Sequence, residues 1–354
     1  MVKKLGAFVT LLLFSLTSYS YSLETIKIEL LSKFFLNQEK EPIGNVWSIA
    51  VDEKENIYIP DMSFGNIKIY NNKGKLIKIF GKKGAGPGEF VKPIRIDVND
   101  KYICVQDLGL FRYIIFDRNF KEIARFFYLI SGSDNFVLSG NKLVANAYFR
   151  GEKGREFKGV ILDFKGKVQK TLFPIKYPKS DAWNRIINLD ALLDVSKDGE
   201  IFVAKTSKVE IFKFDKQGSL IKKFGKNPSY FIPVRRTKDF DDMLRWGRAP
   251  QGIEAGERWY TSFSWVSGIF ALEDLLGIAI RKFNKNSKKW ECYLQFYDFN
   301  GNLIEEKIKL KEVGYSSYNG FFMDSNHKDI FYILEINRDI DPPKYIFFKY
   351  KIHK

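Results

Sequence analysis

The chain has 354 residues, 45% of them hydrophobic and 16% aromatic, enough apolar surface for a sizeable core, which excludes a disordered chain. A formal charge of +16, from 58 basic and 42 acidic residues, favours anionic partners and says nothing about fold. Lysines on solvated strand faces and edges, where they deter edge pairing, are the favoured account of that excess.

Residues 1–22 read as a secretory signal peptide. Lys3 and Lys4 form a positive start, Leu5 to Leu16 is an apolar run without charge, and Ser18-Tyr19-Ser20 or Ser20-Tyr21-Ser22 supplies the small residues of a cleavage site. The run is shorter than the about 20 residues of a membrane-spanning helix, with an uncleaved anchor as the alternative. No cysteine ends the segment, so nothing supports a lipid anchor there. The expected product is exported, periplasmic or secreted, without a transmembrane segment once cleaved. Cys104 and Cys292 lie in the apolar runs YICV and ECYLQF, which favours two buried thiols over a disulfide.

From residue 25 the chain becomes strand-like, as its 33 Phe and 18 Tyr favour. Thr25 to Leu31 alternates polar and apolar residues. A four-run unit then repeats. The first copy reads VWSIAVD, NIYIPD, NIKIYNN, KLIKIFG, and the second, from Pro93, IRIDVND, YICVQD, YIIFDRN, EIARFF. The third is FVLSG, KLVANAY, GVILDFKGK, VQKTLF, and the fourth LLDVSKDG, IFVAKT, VEIFKFDKQG, LIKKFG. The fifth, after a long insertion, is WVSGIFALED, LLGIAIRKF, ECYLQFYDFNG, LIEEKIKL, and the sixth shows only FFMDSNH, IFYILEIN, YIFFKYKI. Tight turns before each fourth run are marked by Gly74, Asn119, Gly166, Gly218 and Gly301, the first four spaced near the roughly 40–50 residues of a propeller blade. The expected fold is therefore all-β, a six-bladed β-propeller of four-stranded antiparallel blades. The missing strand of the sixth blade is supplied by the N-terminal strand, which closes the ring and satisfies two open edges. Residues 23–354 are read as one such domain.

The segment GAGPGEF followed by Pro93, IRIDVNDKYICVQD and YIIFD resembles the NHL repeat, and more specifically bacterial six-bladed propellers related to it. The likeness is best over 44–117 and fair over 191–226. It attributes an unusual inter-blade backbone to Gly84, Gly86 and Gly88, and implies that Asp61 and Asp107 brace the loops that follow them. Some six-bladed propellers are enzymes with an axial metal, such as lactonases and a peptide-amidating lyase. The lyase type needs several histidines, and this chain has His327 and His353 alone. A lactonase-like site with a calcium-type ion on carboxylate and Asn ligands is the alternative function. Gly81 to Gly88 lacks the Gly-Lys-Ser/Thr ending of a phosphate loop, and neither a nucleophile elbow nor zinc-spaced cysteines occur. No cofactor is expected otherwise.

The largest departure from the repeat is the insertion 227–262, placed by propeller connectivity over one face, with a short helical turn expected at Asp239 to Leu244. It contributes Arg235, Arg236, Arg245, Trp246, Arg248, Arg258 and Trp259 as candidate ligand-binding residues, joined by Arg112, Arg150 and Arg155 from second-to-third-strand loops. Arg281, Lys282, Lys285, Lys288 and Lys289 belong to the same basic set. The set reads as a basic, aromatic-rimmed binding surface. The alternative is a lid whose aromatics pack onto the ring with solvated charges outside. The function expected is an exported, non-catalytic binding or scaffold module, probing an envelope or extracellular protein or an anionic or carbohydrate-like ligand, and a monomer. Nucleic-acid binding has the charge and aromatics it needs, but export speaks against it.

Overall fold

The computed structural model describes residues 25–127, 135–150, 156–174, 182–184, 191–311, 313–314 and 320–354. The signal-peptide expectation at 1–22 lies outside them, as does Arg155.

Runs of consecutive apolar residues become strands covered on both faces, as in Ile57–Asp61, where every residue is buried. Runs interleaved with lysine become outer strands, as in Leu76–Phe80 with its exposed middle. The first blade is Ala50–Val51, Ile57–Asp61, Asn66–Tyr70 and Leu76–Phe80. The second is Pro93–Val98, Tyr102–Asp107, Arg112–Asp117 and Glu122–Phe127. The third is Phe136–Ser139, Lys142–Arg150, Glu156–Asp163 and Val168–Pro174, and the fourth Ala191–Val195, Ile201–Lys205, Ile211–Phe214 and Leu220–Phe224. The fifth is Ser264–Ala271, Leu275–Asn284, Lys289–Asp298 and Leu303–Leu310. The sixth is Phe321–Ser325, Ile330–Asn337 and Lys344–His353, with Lys27–Phe35 as its fourth strand. Lys27 pairs with His353 and Phe35 with Ile346, antiparallel, with a register shift between Leu30 and Ser32. The ring is a six-bladed β-propeller closed by its N-terminal strand.

Six apolar clusters join the blades in a circle. One unites Tyr58 and Ile69 of the first blade with Ile103 and Phe116 of the second. The cluster that closes the circle joins Tyr332, Leu334 and Phe347 of the sixth to Ile57, Ile59 and Tyr70 of the first. Each fully buried side chain of this size contributes roughly 1.5–3 kcal/mol.

Five of the third-to-fourth-strand turns share one design. An Asn or Asp oxygen caps backbone N–H groups ahead of it: Asn71 accepts from Lys73 and Lys75 at 3.0 Å, and Asp117 from Asn119 and Lys121 at 2.9 Å. Asp163 and Asp215 repeat the pattern, and Asp298 accepts the N–H of Asn302 at 2.8 Å. Three residues after the cap the backbone turns left-handed, at Gly74 (φ 75°) in the first blade, and the fourth strand starts with a register shift. This is a tight turn followed by a bulge. In the second blade the left-handed residue is Phe120 (φ 65°), one position beyond the expected marker Asn119. Its ring rests 4.9 Å from Phe80 of the first blade and carries Lys78 at 3.6 Å, contacts that offset the strain. Gly74 occupies the same place against the N-terminal strand, where a Cβ would lie 2.4 Å from the Phe35 carbonyl. The closing strand thus serves the first blade as every other fourth strand serves the next.

The Gly-rich loop departs from expectation in detail. Gly81 and Gly88 are left-handed, whereas Gly84 and Gly86 are not. These two lie close against the side chain of Glu89, whose carboxylate accepts the Gly86 N–H at 2.9 Å and pairs with Lys82 at 3.3 Å.

Candidate functional site

With this connectivity the second-to-third hairpins and the blade-to-blade crossovers leave the ring at one end of the inner strands, and the first-to-second and third-to-fourth turns at the other. The first end is called the loop face here.

Two buried aspartates hold it. Asp61 ends the second strand of the first blade and accepts N–H bonds from Ser63 (3.1 Å) and Phe64 (3.3 Å) ahead, and from Gly44 (2.7 Å) in the incoming crossover. Its carboxylate also pairs at 2.8 Å with Lys68, both side chains being 0% exposed. Asp107 repeats the arrangement with Gly109 and Leu110 ahead and Val91 and Lys92 in the crossover, at 2.7–3.1 Å. Their bracing role matches what the NHL likeness implied. They fix the tips that carry Phe64 and Phe111.

The insertion forms two helices, Lys238–Trp246 and Pro250–Tyr260, where a single short turn was expected. In the first, Asp239 and Asp241 near the start and Arg245 near the end suit the helix dipole. The second contains Gly252 and Gly256, poor helix formers in sequence. Gly252 is required because a Cβ there would lie 2.4 Å from the Gly247 carbonyl of the preceding helix's cap, while Gly256 lies close against the Met243 side chain of that helix. Phe240 and Trp259 point inward and form a cluster with Phe263, Trp265 and Trp290 of the fifth blade, and Trp183 packs against it.

The sequence-selected residues therefore divide. Trp259 is 1% exposed and its Nε1 donates to the Arg235 carbonyl at 2.9 Å; it is a core residue of the insertion, out of reach of a ligand. Arg236 is paired with Asp241 at 2.8 Å and Arg258 with Asp239 at 3.0 Å. Arg245 lies 5.2 Å over Trp246, itself 48% exposed, and Arg235 and Arg248 are exposed. Arg112, on the second blade, lies 4.9 Å over Phe127. Arg150 ends a strand of the third blade. Arg281 is withdrawn from the surface: at 3% exposure its guanidinium lies 5.0 Å from Trp290 and 4.9 Å from Phe321. The insertion brings Arg235, Arg245, Trp246 and Arg248 onto one exposed segment; Arg112 is on a separate blade.

Sequence reasoning missed the central channel, a cavity of about 250 Å³ whose lining includes Trp47, Arg95, Asn135 and His327. None of the insertion lines it. Three carboxylates from alternate blades, Asp97, Asp194 and Asp324, stand around it. Each accepts a backbone N–H from the inner strand of the next blade: Leu138 at 2.5 Å, Ala271 at 2.7 Å and Val51 at 2.5 Å, respectively. Burial pushes Asp97 up to about 6, partly offset by the N–H groups of Leu138 and Val98. Burial raises Asp194 as well, and drives Asp324 well above the usual range with help from the Asp97 charge. Aligning the inner strands PIRIDV, ALLDV and FFMDS would have exposed the pattern. Among the described residues no three His, Cys, Asp or Glu side chains gather closely enough to hold a metal ion.

A family model described as a 6-bladed beta-propeller matches residues 37–194. Among solved structures, the chain is similar to a Bacteroides fragilis protein inferred to be exported, with TM-score 0.62, 15% identity, and 92% of this chain and 96% of that one covered. It is also similar to a member of a domain-of-unknown-function family from Bacteroides vulgatus, with TM-score 0.61, 13% identity, and 93% and 99% covered. Virginiamycin B lyase from Staphylococcus aureus matches at TM-score 0.45 and 9% identity over 92% and 99%, a likeness that carries no argument about activity. No curated protein matches the sequence. Fold and family match together define the class, a six-bladed β-propeller. No helix among the described residues is long and apolar enough to cross a membrane.

Proposed function

We propose that the protein is an exported, non-catalytic binding module, a single NHL-like propeller domain whose loop face engages an envelope or extracellular protein or an anionic, carbohydrate-like ligand. The observation that carries this reading is an asymmetry of exposure. Phe64, Phe111, Trp246 and Ile340 are 41–59% exposed at the hairpin and crossover tips of the loop face, whereas at the other end the exposed large apolar residues among those described, such as Leu220 and Leu303, lie in the outer strands and not in the turns. Aromatic and arginine anchors supply most of the energy at binding surfaces, and Trp246 with Arg245 and Arg248 offers such a group. Export is supported by the charged and apolar pattern of residues 1–22 and by the likeness to an inferred exported protein. The NHL-like reading is supported by the paired bracing at Asp61 and Asp107.

The metal-dependent hydrolase or lactonase alternative needs a channel-mouth ion. The channel carboxylates are instead engaged with backbone N–H groups, and no observation favours it further. The test is retention of a partner from native envelope extract by the wild type beside Arg235→Glu/Arg245→Glu/Arg248→Glu, both first matched in melting. Retention should fall several-fold in the variant. Undiminished retention overturns the reading.

A further inference from the structure

Three second-to-third hairpins of the loop face share one register, and one of them inverts the charge of the others. Asp61 faces Asn66 across the hairpin of the first blade, and Asp107 faces Arg112 in the second. In the fourth blade Ile201 pairs with Phe214 and Ala204 with Ile211, which sets Lys205 at the place of the bracing aspartate, beside Glu210. The same register puts Lys208 where the first blade has Phe64, Phe212 where it has Lys68, and Lys223 where it has Ile79. The aspartate that ties hairpin to crossover is thus replaced by a lysine, and two further lysines join it.

These lysines converge on one carboxylate. Glu210 lies 2.7 Å from Lys205, 3.2 Å from Lys208 and 2.6 Å from Lys223, and among the described residues no other carboxylate pairs with any of them. Against the pull of burial, hydrogen bonds from Lys205 and Lys223 hold Glu210 at about 2, so it is ionised at neutral pH. Three ammonium groups less one carboxylate leave two positive charges in surplus. The first blade, by contrast, is balanced: one ammonium, Lys68, meets one carboxylate, Asp61. In the fourth blade like charges crowd together, and each ammonium brings about three N–H donors, more in all than the about four acceptor sites of one carboxylate can take. Lys208 and Lys223 are also open to solvent, their side chains 44% and 56% exposed. With Glu210 and Asn227 they border a cavity of about 390 Å³, within the roughly 300–1,000 Å³ of small-molecule sites. An aspartate at position 205 would brace the hairpin as in the first two blades, so folding alone does not call for this cluster.

We infer that the hairpin of the fourth blade binds a phosphate group, free or as the monoester of a small molecule such as a sugar. A phosphate monoester carries about −1.5 to −2 at neutral pH, which matches the surplus. Lys208 and Lys223 turn their remaining donors to its oxygens. Lys205, 16% exposed, stays on Glu210 and adds its charge from behind. The inference deepens the reading of the loop face as a binding surface and rests on it, but it uses none of the insertion arginines.

The experiment follows melting at neutral pH in sodium chloride and, at matched ionic strength, in sodium phosphate, glucose 6-phosphate, or chloride with glucose. Phosphate and glucose 6-phosphate should raise the melting temperature in a saturable way, and glucose should not. Lys208→Gln/Lys223→Gln should melt close to wild type in chloride and bind phosphate about tenfold more weakly. The same charge change at the opposite end, Lys165→Gln/Lys167→Gln, should leave the phosphate effect intact. Glu210→Gln gives a second reading that does not depend on the lysine variant's stability. It should melt lower in chloride and gain more from phosphate than the wild type does, the anion standing in for the lost carboxylate; a merely structural network would show the loss without the rescue. A tighter response to glucose 6-phosphate than to phosphate assigns the site to an ester, and an equal response to the free ion. The inference is overturned if phosphate acts no more than chloride, if the shift survives Lys208→Gln/Lys223→Gln, if it falls equally in Lys165→Gln/Lys167→Gln, or if Glu210→Gln gains less than wild type. If phosphate is not bound but an envelope partner is still lost with the arginine variant, the phosphate assignment fails and the loop-face reading stands.

Discussion

The two ends of the ring are built by the same strands and solve different problems. At the end away from the loop face, each third-to-fourth turn is a local device: an Asp or Asn caps N–H groups two and four residues ahead, and the next left-handed residue packs on the neighbouring blade. At the loop face the corresponding aspartates are buried and reach across the chain, Asp61 to Gly44 and to the enclosed Lys68, Asp107 to Val91 and Lys92. One crossover there holds two helices, and Phe64 and Trp246 stand largely exposed. One end is specified residue by residue along the chain. The other is specified by contacts between segments.

The largest test of this contrast removes a strand that serves both ends. Deleting residues 24–35 opens the sixth blade, exposes the edge of Lys344–His353 and removes the partner of the Gly74 turn. The expected product is unfolded or aggregated in size-exclusion chromatography; a monodisperse product with a normal melt breaks the closure account. Next, Asp61→Ala strands Lys68 as an unpaired buried charge and should cost about 3–5 kcal/mol in urea unfolding. An effect no larger than a single hydrogen bond would show that the loop face is as locally held as the other end.

The channel between the two ends gives a pH test. Asp97 in the folded protein binds its proton more tightly than in the unfolded chain, with its carboxyl at about 6 against an ordinary 3.8. Its contribution is therefore complete below about pH 4 and is lost as pH rises through about 6, up to about 3 kcal/mol in all. Asp194 and Asp324, raised by burial, act in the same direction. Glu210 acts oppositely: burial raises it, but hydrogen bonds from Lys205 and Lys223 prevail and hold it at about 2, so its contribution is lost as pH falls below its ordinary 4.5. The melting temperature should thus rise from pH 7 toward pH 5 and fall again in stronger acid. Asp97→Asn should flatten the upper limb; an unchanged profile refutes the assignment. The smallest effect belongs to the local end, where Asp117→Ala removes two caps and should cost only about 1 kcal/mol, again read by urea unfolding. A loss matching that of Asp61→Ala would erase the distinction.

Much of the architecture was legible because a blade is a local meander. Strand runs, Asx caps and turn glycines lie within a few residues of one another, so the repeat could be read in order, and a three-stranded sixth blade pointed to Lys27–Phe35 as its complement. The residue Phe120 escaped because its left-handed backbone is sustained by Phe80 and Lys78 of another blade. The helix Pro250–Tyr260 escaped because its glycines weaken the helical signal and serve a contact seen only when the two helices meet.

For the candidate site, composition and order along the chain determined that an Arg- and Trp-rich insertion would interrupt the fourth-to-fifth crossover. Folding decided which of those residues face outward: Trp259 and Trp246 look alike in sequence, yet one fills the insertion's core and the other stands in solvent. It alone brought Asp97, Asp194 and Asp324 from three blades to one channel. The reason is one of range. Hydrogen-bonded turns and strand alternation act between near neighbours and leave a trace in the sequence, whereas burial, charge proximity and the shape of a face arise where distant segments meet.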